Sequence, residues 1–145
     1  MDTKQKDLSY FRLRLQELLF TSFPEKAFDY KFINQRSIWA ASAYEGAFSS
    51  GNTIEHCMEI ASYILFEGLH FSKFDTVFKV VCREFDTIMT DAELRPFALQ
   101  MFSICEAVFS GYDLTDDFDD SADYDLLYTE LTGTIAIWIN ENGLQ

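Results

Sequence analysis

Apolar side chains recur at helical intervals along almost the whole of this chain. The pattern is sharpest where Phe74, Val77, Phe78, Val81, Phe85 and Ile88 fall at i, i+3, i+4, i+7, i+11 and i+14. That spacing puts all six on one face of a helix and leaves Lys73, Lys79, Arg83 and Asp86 on the other. Just upstream, Ile54, Met58, Ala61, Ile64 and Leu65 form a second stripe, and Gly68 supplies the bend between the two. The spacing predicts a helical hairpin over 52–88, around which the other helices are expected to pack.

Residues 5–21 read as a first helix, with Leu8, Phe11, Leu15, Leu18 and Leu19 inward. Leu13 lies off that stripe, which implies cover on a second side. Ser22-Phe23-Pro24 ends the helix, because the residue before proline is pushed out of the α region. Asp29 caps a second helix over 30–49, whose small side chains between Trp39 and Ala47 suit the middle of a bundle. Gly51 is its stop. Asn52 and Glu55 have the spacing of a capping box for the third helix, Ser72 caps the fourth, and Asp75 favours that helix's positive end. Thr90 and Glu93 repeat the box for a fifth helix over 91–109, which Pro96 should kink or split. A last helix over 122–141 carries Tyr124, Leu127, Tyr128, Leu131, Ile135, Trp138 and Ile139 on one face. That pattern outruns the short alternation of Ile135, Ile137 and Ile139 that would suit a strand. The expected fold is all-α: a compact single domain over 1–145 with five to seven helices.

Composition supports a packed core. Fifteen Phe and only eight Pro plus Gly argue against disorder and against a turn-rich β protein. No apolar run approaches the roughly 20 residues that a membrane helix needs, and the polar start Met1 to Asp7 does not read as a signal peptide. Cys57, Cys82 and Cys105 are odd in number and widely spaced, so free thiols in a reducing cytoplasm are expected.

Charge changes the picture more. Through Arg95, eleven basic residues meet fourteen acidic ones, a net −3; the last fifty residues hold ten acids and no base. Seven of those acids crowd into 113–125: Asp113, Asp116, Asp117, Asp119, Asp120, Asp123 and Asp125. Nucleic acid and anionic membranes recruit basic patches, so neither is expected as a direct partner. A basic protein suits the asymmetry, with these seven aspartates as the docking pole. An acidic mimic of DNA, filling the basic groove of a nuclease or regulator, is the alternative.

Candidate chemistry is thin. Glu67 and His70 stand at the i, i+3 spacing of di-iron bundles, but Gly68 interrupts them and no matching second pair exists. His56 and Glu59 show the reverse order. Asp119, Ser121, Asp123 and Glu130 occupy positions 1, 3, 5 and 12 of a calcium loop, yet Tyr124 stands where that loop requires glycine. With two histidines and no nucleophile motif, neither an enzyme nor a cofactor or metal site is expected. An uncharacterised enzyme or metal-binding bundle is the third reading. Phe20, Phe28, Tyr30, Phe48, Tyr63 and Phe71 fall at or beyond the edges of the stripes, where they would serve a core edge, a groove or a dimer face.

The segments Ala43-Tyr44-Glu45-Gly46-Ala47-Phe48, Ile64 to Phe74 and Tyr128 to Ile139 resemble a family of small helical bacterial proteins of unknown function. Members of that family are encoded in or near conjugative transposons of anaerobic gut and oral bacteria. The resemblance implies a cytoplasmic, mainly helical protein with a mobile-element context, and it carries over no substrate and no catalytic residue. The combined expectation is a non-enzymatic interaction module, or an accessory factor of a mobile element.

Overall fold

Short polar side chains decide where most of the helices begin. Asp29 accepts the Phe32 N–H at 3.1 Å, Thr53 accepts that of His56 at 3.1 Å, and Ser72 accepts that of Asp75 at 2.9 Å. Thr90 and Glu93 form a reciprocal capping box. These residues open α2 (Tyr30–Ser49), α3 (Ile54–Leu65), α4 (Lys73–Glu84) and α5 (Asp91–Ile104). In this computed structural model, which describes residues 3–144, the other helices are α1 (Thr3–Ser22), α6 (Glu106–Phe109) and α7 (Asp123–Asn142). The chain is 77% helical with no strand among the described residues, so the all-α expectation holds. Met1 and Asp2, at the polar start, and Gln145 lie outside the described residues.

The helices gather into two compact units, Met1–His70 and Phe71–Gln145. In the first, α2 packs against both α1 and α3. Phe11, Leu15 and Leu19 of α1, Ile33, Ala40 and Ala41 of α2, and Ala61 and Leu65 of α3 share its core. Leu13 is exposed rather than covered, so α1 is buried on one side only. Arg36 closes this unit's last helix: one guanidinium nitrogen donates to the carbonyls of Ile64 at 3.2 Å and Glu67 at 2.7 Å. The Ile64 carbonyl lies in the last turn of α3 and that of Glu67 just beyond it, where the regular i+4 donors run out. Gly68 then turns the chain at a φ of +79°, where any other side chain is strained.

In the second unit, α4 packs against α5 and α7. Its core is Phe74, Val77, Val80 and Val81 of α4 with Phe97, Ala98 and Met101 of α5, Phe109, Phe118, and Leu127, Leu131 and Ile135 of α7.

Several sequence expectations are corrected here. The two arms of the 52–88 hairpin do not share one core, because they belong to different units. Thr53, not Asn52, caps α3; the Asn52 amide instead donates to the Ala47 carbonyl at 2.9 Å, tying down the end of α2. The stripe 74–88 is not one helix. It stops at Glu84 and passes into a 3₁₀ turn, Asp86–Ile88, which leaves Ile88 exposed and shifts the buried face onto Val80. Phe78 is only half-buried at the core's edge. Finally, α5 runs on through Pro96, and the break falls at Cys105, after which Phe109 turns back into the core.

Candidate functional site

The acidic segment is an anchored structure. At its centre Phe118 opens a 3₁₀ turn, Phe118–Asp120, and is only 3% exposed. Its ring meets Phe71 at 5.3 Å, Tyr112 at 5.8 Å and Tyr124 at 6.4 Å, each contact edge-on. Such pairs add to the stabilisation from buried area. The backbone is tied on both sides: the Phe118 N–H donates to the Thr115 carbonyl at 3.0 Å, and the Ser121 N–H to the Phe118 carbonyl at 2.9 Å. In the sequence this anchor is a single phenylalanine between two pairs of aspartates, with no period to mark it as buried.

Around that anchor all seven aspartates, Asp113, Asp116, Asp117, Asp119, Asp120, Asp123 and Asp125, are exposed. Asp117 accepts the Thr115 hydroxyl at 2.8 Å. Among the described residues, none of the seven forms an ion pair. Lys73 pairs with Glu106 at 3.0 Å, while Lys79 lies 5.2 Å over the Tyr124 ring within the segment and donates to its hydroxyl at 3.3 Å. The negative field is therefore only partly offset from within. Asp123 and Asp125 sit in the first turn of α7, where they favour its positive end, but Ala122 holds the cap position and no aspartate side chain caps the helix.

Two tyrosines clamp α7 beside this segment. The Tyr112 hydroxyl donates to Glu130, and the Tyr128 hydroxyl donates to Glu84 Oε2 at 2.9 Å. The hydrogen bond to Glu130 pushes the Tyr112 phenol up to about 12; burial, then the bond to Glu84, pushes Tyr128 up to about 12. Both folded-state values lie above the ordinary 10, so the stabilisation is complete below pH 10 and is lost as pH rises through 12. Tyrosinate absorbance followed against pH is expected to show two late-titrating phenols. Replacing Glu84 and Glu130 with Gln should bring both back toward the others. Two phenols that ionise with the rest in the unmutated chain would contradict the clamp.

The remaining candidates are not assembled into sites. Positions 5 to 12 of the calcium-type loop, Asp123 to Glu130, are helical, and Glu130 already serves Tyr112. His56 lies 3.6 Å from Glu59 on the open face of α3, while Glu67 and His70 are both exposed around the Gly68 turn. No cluster of three metal-binding side chains occurs among the described residues. Burial pushes the Cys105 thiol up to about 11; the Cys82 thiol is also raised, by burial and then by Asp86 and Asp91. Both shifts disfavour the reactive thiolate. One feature lay outside the sequence reading: a half-open groove of about 580 Å³, floored by Met89, Phe97, Trp138 and Leu144. Its rim acid, Glu93, is held below the usual carboxylate range by its capping bonds to Thr90.

A sequence family described as a domain of unknown function, DUF1896, matches residues 3–144. The chain belongs to that family. No functionally curated protein matches it. Among solved structures, the DUF1896 chain is similar to the crystal structure of protein PG0816 from Porphyromonas gingivalis. The two are 41% identical, with 99% of this chain and 97% of that chain covered and a TM-score of 0.90. That likeness agrees with the expected kinship to helical bacterial proteins of unknown function. Among the described residues no helix is long and apolar enough to cross a membrane.

Proposed function

We propose that this DUF1896 chain is a non-enzymatic protein-interaction module whose acidic segment docks a basic partner in the cytoplasm. One observation carries the reading: seven exposed aspartates, none of them in an ion pair among the described residues, ride on a backbone that Phe118 pins into the core. Loose acidic chain would serve solubility equally well. An anchored set of carboxylates fixes where the field points, which speeds encounter with a basic surface more than it tightens the final complex. The three free cysteines suit a reducing compartment. Service to a mobile element is the narrower form of this reading and rests on the family resemblance alone. Mimicry of DNA is another narrow form and rests on the charge.

The test replaces Asp116, Asp117, Asp119 and Asp120 with Asn. Binding to a lysine-rich probe peptide, and capture of partners from native extract, are compared at low and high salt. The variant is expected to associate more slowly, with a flatter dependence on salt, while its circular dichroism is unchanged. Equal capture by both forms at both salt concentrations would reduce the acidic segment to a solvated surface. Competition of the bound partner by duplex DNA separates DNA mimicry from the broader reading.

A further inference from the structure

The outer face of α2 carries a row of exposed side chains. Lys31, Ile38 and Glu45 stand seven residues apart, so they drift only about 20° per step along the helix. All three are exposed, and Ile38 and its neighbour Trp39 each keep 52% of their surface open. The buried side of α2, formed by Ile33, Ser37, Ala40 and Ala41, points away from this row. Neither Lys31 nor Glu45 takes part in an ion pair among the described residues.

The order of charges along the row specifies an occupant. It runs cation, aliphatic side chain, anion, at equal spacing. When two such rows lie antiparallel and cross at Ile38, each Lys31 comes opposite the Glu45 of the partner subunit, about 10.5 Å from the crossing point. Laid parallel, Lys31 meets Lys31 and Glu45 meets Glu45. The face is thus self-complementary in the antiparallel orientation, which a twofold axis perpendicular to the helices generates. Trp39, about 100° around the helix from Ile38 and likewise 52% exposed, adds aromatic area at the flank of that contact. The flanking Gln35 and Ser42 are exposed and uncharged, so they add no repulsion.

Charge elsewhere narrows the choice further. Residues 71–145 hold four bases against fifteen acids, a net −11, whereas residues 1–70 hold seven against nine, a net −2. Two copies repel through the second stretch far more than through the first. Every exposed Phe, Tyr and Trp among the described residues also lies before Phe71.

We infer that α2 is the contact face of an antiparallel homodimer, with Ile38 at the twofold axis and two reciprocal Lys31–Glu45 ion pairs. Sedimentation equilibrium of the full chain at low salt, up to about 1 mM, the weak end of the affinity scale, tests it. A reversible monomer–dimer equilibrium is expected. Lys31→Glu or Glu45→Lys alone should weaken it on the order of tenfold, since each turns both pairs into like charges. The double reversal should restore the dimer. Circular dichroism checks the fold of each variant, and a Lys31→Gln/Glu45→Gln chain, which carries no such charges, should still dimerise but lose the salt dependence. A monomer at the highest concentration overturns the assignment. So does a dimer indifferent to the single reversals, or a folded double reversal that stays monomeric.

Discussion

Phe74→Ala is expected to lower folding stability by about 3–5 kcal/mol, the range for deleting a fully buried aromatic ring. Phe74 is 0% exposed. Its ring meets Phe78 and Phe102, each at 5.8 Å, and the Arg95 guanidinium lies 4.9 Å over it. Truncation leaves a cavity walled by α4 and α5, which cannot collapse without moving two helices. Phe78→Ala serves as the internal comparison. Its ring is half-buried, so less transfer free energy is lost and water can fill the gap. Urea denaturation of both variants checks the ranking. A Phe78 variant as destabilised as the Phe74 variant would show that the inward face of α4 is centred one turn later than described.

Phe118→Ala should have the second-largest effect, about 3 kcal/mol, at the lower end for loss of a buried phenylalanine. Its second consequence is more informative. The substitution leaves all seven aspartates in place and removes what holds them in position, whereas the quadruple Asn variant does the reverse. If the acidic segment docks a partner, charge governs the rate of approach and the anchor governs how long the complex lasts. Stopped-flow association with the lysine-rich probe should then change little in Phe118→Ala, while dissociation accelerates. Amide hydrogen exchange at Phe118 and Ser121, whose N–H groups close the turn, should also speed up. Unchanged dissociation with accelerated exchange would mean that the charges act without a defined arrangement.

The contrast between Phe74 and Phe118 also shows where sequence reasoning succeeds. Helix positions were legible, because caps such as Asp29, Ser72 and Thr90 act within three residues of themselves and leave a local trace. The seventh helix was legible for a related reason: Leu127, Leu131 and Ile135 keep one face through about two turns. Two things were hidden. Whether a stripe stays helical to its end depends on what waits at that end, so Ile88 looked like core and is exposed. Which helices share a core depends on contacts distant in sequence, so the division between α3 and α4 could not be read from two stripes of similar quality. The acidic segment was visible as composition, but its aromatic anchor was not, because one Phe among aspartates has no period to betray it.

The assignment of the two cores to consecutive stretches of chain bears on how the protein is made. All the contacts within the first core join residues up to His70, and all those within the second begin at Phe71. Each core closes within its own stretch of chain, although α7 must return to α4, where Tyr128 meets Glu84 across 44 residues. On a ribosome the first seventy residues carry everything their own core requires before the acidic remainder emerges. The stretch with a net charge of −11 is therefore synthesised after a unit that has already had the chance to bury its own apolar surface.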